Sequence, residues 1–86
     1  MKNNYKEKFI NDFNNIEKIK CFEFKEGPIY IDIDSENDSF VAGGCCNVGL
    51  IPEFKMIIDY DLTVEENLQN LFTYILENSN YSLLGD

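Results

Sequence analysis

The first stretch of the chain repeats its apolar residues at three- and four-residue steps. Lysine and asparagine fill most of the positions in between. This period is typical of an amphipathic helix that packs one face on a core. Since asparagine is a mediocre helix former, we expect packing to supply much of the stability of this helix. The apolar positions are Tyr5, Phe9, Ile10, Phe13, Ile16 and Ile19.

The period then changes to two, which is typical of β-strands. Residues 21–26 alternate between apolar and polar types, Gly27–Pro28 indicates a turn, and residues 29–34 alternate again. The polar run over residues 35–39 predicts a second turn, which leads into a short strand at residues 40–42. The pattern therefore predicts a hairpin followed by a third strand.

The stretch from Gly43 to Gly49, Gly-Gly-Cys-Cys-Asn-Val-Gly, is the least regular of the chain. It predicts a glycine-rich loop that ends near Pro52 and crosses to a last strand over residues 53–60. The glycines are expected to supply a positive φ or a close backbone approach where the chain changes direction. The loop lacks the spacing of known phosphate-binding motifs and no lysine follows it, so phosphate binding is not expected.

A second helix is predicted to begin after Thr63. Thr63 and Glu66 have the spacing of a capping box, in which each side chain bonds the backbone N–H of the other residue. Asn78 to Asn80 predict the end of the helix. The apolar stripe between these limits contains Val64, Leu68, Leu71, Phe72, Ile75 and Leu76.

The order of these elements predicts one α+β domain over residues 1–86. It consists of an N-terminal helix, an antiparallel meander of three to four strands and a C-terminal helix, with both helices on one face of the sheet. Strand alternation then assigns each strand residue to a face. The inner set is Phe22, Phe24, Ile29, Ile31, Ile33, Phe54, Met56 and Ile58. The outer set, on a face expected to be open, is Glu23, Tyr30, Asp32, Asp34, Val41, Ile57 and Asp59.

Charge is unevenly distributed along the chain. Sixteen acidic residues, seven lysines and no arginine or histidine give a net charge of −9. Residues 1–25 hold six of the lysines and have a net charge of +2, whereas residues 26–86 have a net charge of −11. Because DNA-binding proteins neutralise phosphates with lysine and arginine, direct binding to nucleic acid or to an anionic membrane is not expected. A basic protein partner is expected instead.

The chain contains no run of about 18 apolar residues and no apolar signal core after its start, so we expect a cytoplasmic protein. Phenylalanine, tyrosine, isoleucine, asparagine and lysine are abundant. Such usage is typical of AT-rich coding sequences, and it favours a low-GC bacterium, or one of its phages or mobile elements, as the source.

The densest acidic cluster contains Asp32, Asp34, Glu36 and Asp38. Asp59 and Asp61 are expected to continue it in space. Its spacing is similar to that of a calcium loop, but the sixth and twelfth positions are Asn37 and Gly43 instead of glycine and glutamate. We therefore expect no metal. Two interpretations stay open: solvated polar residues that serve solubility, and a recognition surface.

The cysteines offer little chemistry. Cys21, Cys45 and Cys46 are odd in number and include an adjacent pair, so free thiols are expected. Without a CxxC motif or a histidine, neither a zinc site nor an activated thiolate is expected. Two carboxylates in a cleft would be the remaining route to catalysis, and a domain this small rarely holds a deep cleft. We expect neither an enzyme nor a cofactor.

The resulting hypothesis is a non-enzymatic inhibitor of a basic, nucleic-acid-handling enzyme. It would act as an anti-CRISPR-like nucleic-acid mimic from a phage or mobile element. Two alternatives stay open: an immunity-type protein that neutralises a toxin, and a structural module that homodimerises through Tyr30, Val41 and Ile57. The predicted partner-binding residues are Asp32, Asp34, Glu36, Asp38, Asp59, Asp61 and Tyr30.

Overall fold

The computed structural model describes residues 2–16, 21–46 and 49–83, with side chains omitted for residues 2–4, 45 and 46. The four strands form one antiparallel sheet in the order β1-β2-β3-β4. A helix precedes the sheet and another follows it, so the predicted α+β fold is confirmed. The elements are α1 (Lys2–Asn14), β1 (Cys21–Phe24), β2 (Gly27–Asp34), β3 (Ser39–Cys46), β4 (Gly49–Ile57) and α2 (Val64–Asn78).

Both helices pack on the same face of the sheet. From α1, the rings of Phe9 and Phe13 contact Phe40 of β3, with ring centroids 5.9 and 5.6 Å apart. From α2, the ring of Phe72 stacks on Phe24 of β1, with centroids 5.3 Å apart. This arrangement confirms the predicted placement of the helices.

The strand register places the predicted inner residues on the face that the helices cover. Phe40 is paired with Ile33 on one side and Met56 on the other, and Ala42 pairs with Phe54. Directly opposed residues of antiparallel strands share a face, so these side chains lie together. The fully buried core is dominated by rings and branched aliphatic groups, as the apolar pattern predicts.

The glycine-rich stretch is not the loop that its composition predicts. Residues 43–46 complete β3, and residues 49–52 begin β4 and pair with them. Ala42 pairs with Phe54 but Gly43 with Pro52, so Glu53 is an extra residue that forms a β-bulge. The close backbone approach expected of the glycines therefore occurs inside paired strands. Residues 47–48, which belong to the predicted loop, lie outside the described residues.

Other element boundaries differ by a few residues. The helix α1 ends at Asn14, Ile16 lies beyond it, and the predicted extension to Ile19 falls outside the described part of the chain. The strand β4 ends at Ile57 and not at residue 60, although the backbone N–H of Ile58 still donates to the carbonyl of Asp38 in the β2–β3 turn at 2.8 Å.

The start of α2 matches its prediction in detail. The Glu66 N–H donates to the Thr63 hydroxyl, and the Thr63 N–H donates to the Glu66 carboxylate, both at 3.1 Å. The capping box is thus present, and the helix ends at Asn78 as predicted. Neither helix is long and apolar enough to cross a membrane, within the residues described.

The segment after α2 covers one end of the inner face. The Tyr81 ring packs between Phe24 and Phe54, at 5.3 and 5.9 Å. The Lys25 N–H donates to the Ser82 carbonyl, and Leu83 forms an antiparallel bridge with Phe24. This segment therefore covers part of the β1 edge of the sheet.

Candidate functional site

The outer face of the sheet lies opposite the two helices. We use this name for the residues Cys21, Glu23, Tyr30, Asp32, Asp34, Val41, Lys55 and Ile57. Across the strands, Asp32 is paired with Val41 and Val41 with Lys55. Asp32, Lys55 and Ile57 are exposed, and Ile57 retains 69% of its accessible surface. In the described part of the chain, neither helix packs on this face.

Three apolar residues run diagonally over the outer face. Tyr30 is paired with Gly43, and Val41 is the same-face neighbour two residues earlier on β3. Val41 is paired with Lys55, and Ile57 is two residues further along β4. The diagonal therefore joins β2, β3 and β4, with Asp32 and Lys55 on either side of it.

Asp34 lies at the edge of the outer face and also organises the β2–β3 turn. Its carboxylate accepts hydrogen bonds from the Asn37 side chain at 2.7 Å and from the Asn37 backbone at 3.3 Å. The side-chain bond from Asn37 is the main reason why the pKa of Asp34 is lowered, with a smaller contribution from the charge of Lys55. Glu36 lies exposed in the same turn.

Asp38 was predicted to extend the acidic surface, but the structure directs it to α1. Its Oδ1 accepts hydrogen bonds from Lys6 Nζ at 2.8 Å and from the Tyr60 hydroxyl at 2.9 Å. The bonds from Lys6 and Tyr60 lower the pKa of Asp38. Burial, followed by the bond to Asp38, raises the pKa of Tyr60 to about 12. Lys6 neutralises Asp38, whose left-handed φ of 50° helps turn it away from the strand direction.

Asp59 and Asp61 lie beyond β4, in the connection to α2, and not on the strand as predicted. The Asp61 N–H donates to Asp59 Oδ1 at 3.0 Å. The backbone of Asp59 is fixed by Asn67, which accepts its N–H at 3.0 Å and donates to its carbonyl at 2.9 Å. The predicted acidic residues therefore lie on different segments: Asp32, Asp34 and Glu36 on β2 and the β2–β3 turn, and Asp59 and Asp61 in the β4–α2 connection.

Sequence reasoning missed Asn67. It is 1% exposed, and its side chain also donates to the Thr63 carbonyl at 2.9 Å. The available signal was its position three residues after Val64 and four before Leu71, inside the apolar stripe of α2. A polar residue at such a position needs partners, because a buried amide without hydrogen bonds is costly.

Sequence reasoning also missed a groove between α1 and the β4–α2 connection. The groove has two adjoining cavities of about 400 and 370 Å³ that share Tyr5, Tyr60 and Asp61. The first extends to the Lys8–Asp12 ion pair and the second to Ile57. We call it the α1 groove. Its two tyrosines come from distant parts of the sequence, and only the packing of α1 on the sheet brings them together.

The described residues contain no group of three or more histidine, cysteine, aspartate or glutamate side chains that could hold a metal ion. Cys21 is a half-buried free thiol on β1. The side chains of Cys45 and Cys46 lie outside the described part of the structure. The described site thus offers charge and apolar contact surface.

Comparison with known proteins gives no relative: no protein-family model, curated protein or solved structure matches this chain.

Proposed function

We propose that this protein is a non-enzymatic binding protein whose outer face docks on a basic protein partner. The most concrete partner is a nucleic-acid-handling enzyme whose binding site the outer face would occlude. The observation that supports the proposal most directly is the position of Asp32 and Asp34 on β2. They lie two residues apart, about 7 Å, on a sheet face that neither described helix covers.

The proposal assigns different weights to the predicted acidic residues. Asp32 and Glu36 are exposed and are the best candidates for contact charges. Asp34 contributes charge while it holds the turn through Asn37. Asp38 is a weaker candidate, because its carboxylate already bonds Lys6 and Tyr60. The proposed contact charges are therefore Asp32, Asp34 and Glu36.

The apolar diagonal gives the same face a second property of interfaces. Protein–protein interfaces combine an apolar centre with a polar rim. Tyr30, Val41 and Ile57 would supply the centre, with carboxylates beside them. Opposite charges on the two proteins would speed their encounter and make the association sensitive to salt.

The test is affinity capture of partners with the intact protein as bait. The lysate comes from the native host or, if the source is a phage, from the cell that the phage infects. We expect a basic nucleic-acid enzyme that is released by salt and displaced by its own nucleic acid. The double variant Asp32→Lys/Glu36→Lys should lose this enzyme. The matched control Glu7→Lys/Glu77→Lys, which makes the same charge change at exposed helix positions, should retain it. Retention by both variants, or no competition by nucleic acid, contradicts the proposal.

The apolar diagonal also supports a second candidate, a homodimer formed through the outer face. Sedimentation of the purified protein separates the two functions. A dimer that persists at high salt, and that Ile57→Lys dissociates, favours the structural module. An immunity-type protein would use the same outer face. The capture test distinguishes this role from the first proposal, because the captured enzyme would then be a toxin.

A further inference from the structure

The α1 groove has walls that are already fixed in position. The Tyr60 ring is held at its hydroxyl by Asp38, which Lys6 holds in turn. The same ring meets Phe9 edge to face, with centroids 5.4 Å apart and planes at 84°. A ring held at both ends loses little conformational freedom when a ligand binds beside it, which favours binding.

Tyr5 lines the same groove from α1. It keeps 53% of its accessible surface, so much of the ring is open to a ligand. The two shared tyrosines thus offer aromatic surface on two sides of one depression. A cavity of about 400 Å³ lies within the range of small-ligand clefts, about 300–1,000 Å³.

The groove contains one ion pair at one end and, at the other, two aspartates that form no ion pair with a described residue. Lys8 lines one end and is paired with Asp12 at 2.9 Å. At the other end, the Asp59 carboxylate accepts only the Asp61 N–H among the described contacts. No described contact engages the Asp61 carboxylate. Asp59 and Asp61 therefore line the groove together with the shared tyrosines, and neither forms an ion pair with another described residue.

We propose that the α1 groove binds an arginine side chain of the basic protein partner. The guanidinium lies against the rings of Tyr5 and Tyr60 and bonds the carboxylate of Asp61, with Asp59 adding negative charge. Arginine fits better than lysine because its planar group stacks on aromatic rings and bonds carboxylates through two N–H groups at once. The occupant follows from charge complementarity with a chain of net charge −9.

This inference rests on the proposed function and extends it. Ile57 belongs to the outer face and also lines the α1 groove. One partner could therefore cover the outer face and insert an arginine at its margin. Since buried aromatic and arginine anchors dominate the energy of many interfaces, the groove would contribute affinity beyond that of the exposed carboxylates.

The test uses the isotope-labelled protein and the peptide acetyl-Gly-Arg-Gly-amide, followed by the amide resonances. We expect saturable shifts confined to residues 5–12 and 57–64, with a dissociation constant on the order of millimolar. The peptide acetyl-Gly-Lys-Gly-amide should bind at least about three-fold more weakly. Shifts that spread over the whole acidic surface, or equal affinity for the two peptides, overturn the inference.

Variants locate the site. Tyr5→Leu and Asp61→Asn should each lower the affinity for the arginine peptide about three- to ten-fold. This is the loss expected for a cation–π contact or a charged pair. The controls Tyr74→Leu and Glu77→Gln change an exposed tyrosine and an exposed carboxylate on α2 and should leave affinity unchanged. The amide spectra report whether each variant stays folded, and a folded Tyr5→Leu with unchanged affinity overturns the inference.

The two proposals fail separately. The peptide test does not use the carboxylates of the outer face, and the capture test with Asp32→Lys/Glu36→Lys changes no residue that lines the groove. Arginine binding in the groove together with loss of the captured enzyme in that variant supports both. If Asp61→Asn and Tyr5→Leu bind the captured enzyme with unchanged affinity, the groove is not part of the interface. The proposal for the outer face then still stands.

Discussion

At the scale of single residues, the pairing of β3 with β4 requires a glycine at position 43, where no side chain fits. A Cβ atom at Gly43 would overlap the carbonyl oxygen of Ile51 and lie 2.8 Å from its carbonyl carbon. Both of these are backbone atoms of the paired strand β4, so a rotamer change cannot relieve the overlap. Gly44, the next residue, has nothing within 4 Å of the same hypothetical atom.

We therefore predict that Gly43→Ala lowers the free energy of unfolding by about 2–4 kcal/mol, since the bulged strand must move. The matched control Gly44→Ala should change it by less than about 1 kcal/mol, because it adds no clash and restricts the unfolded chain. Urea unfolding followed by circular dichroism measures both. Equal effects of the two substitutions would mean that the contact with Ile51 does not limit the size of residue 43.

These two glycines also show what a sequence can predict. Their composition indicates a close backbone approach, and that expectation is confirmed at Gly43. Their assignment to a loop is wrong because strand pairing is a long-range property, and it overrides a local preference for turns. Which of the two glycines is required follows only from the register and the bulge at Glu53, neither of which is written in the local pattern.

A second prediction at this scale concerns Tyr60, whose pKa is raised to about 12 by burial and by Asp38. A folded pKa above the unfolded value of about 10 means that the neutral hydroxyl stabilises the fold fully below pH 10. This stabilisation is lost as the pH rises through 12. The stability difference between the native protein and Tyr60→Phe should therefore shrink between pH 10 and 12.

Tyrosinate absorbance provides the direct measurement. Subtracting the titration curve of Tyr60→Phe from that of the native protein isolates one hydroxyl, whose midpoint should lie well above 10. Tyr74→Phe, on the exposed side of α2, is the matched control for loss of one phenol. A Tyr60 midpoint at the ordinary value would show that neither burial nor Asp38 acts on this hydroxyl in solution.

At the scale of elements, the side-chain amide of Asn67 on α2 holds the connection that follows β4. Asn67 satisfies both backbone groups of Asp59 and the carbonyl of Thr63 while almost completely buried. The connection is only six residues long, so this amide fixes the angle at which the chain enters the helix. The capping box at Thr63 and Glu66 stabilises the same turn from the solvent side.

We predict that Asn67→Ala lowers the free energy of unfolding by about 2–4 kcal/mol, because the N–H and carbonyl of Asp59 lose their partner. Asn70→Ala, on the exposed side of the same helix, should change it by no more than about 0.5 kcal/mol. Chemical denaturation compares the two. A small effect at Asn67 would mean that water replaces the amide, which its 1% exposure argues against.

The elements differ in how far local sequence predicts them. The helix α2 is predicted from its cap to its last residue, because capping, stripe and stop are all local signals. The acidic surface is predicted only in part, because Asp38, Asp59 and Asp61 depend on contacts with Lys6, Tyr60 and Asn67. The α1 groove brings Tyr5 beside residues near position 60, and no local pattern predicts such a pairing.

At the scale of the whole molecule, negative charge is concentrated in the part of the chain that follows β1, since residues 26–86 have a net charge of −11. Two exposed or half-exposed ion pairs lie between described residues, Lys6 with Asp38 and Lys8 with Asp12. Exposed pairs of this kind contribute little to stability. With a net charge of −9, we expect repulsion within the compact state to exceed the attraction of these exposed pairs.

This balance predicts that sodium chloride stabilises the protein. From about 0.02 to about 0.5 M salt, the screening length falls from about 20 to about 4 Å, which weakens repulsion between distant carboxylates more than attraction within a close pair. The urea midpoint should rise over this range, and urea is uncharged and adds no screening of its own.

The variant Glu7→Lys/Glu77→Lys, with a net charge of −5, should show a smaller rise. A midpoint that falls with salt would mean that the two ion pairs outweigh the excess charge. Acidity would then cost the fold nothing, and a basic partner would gain no affinity by relieving repulsion within it.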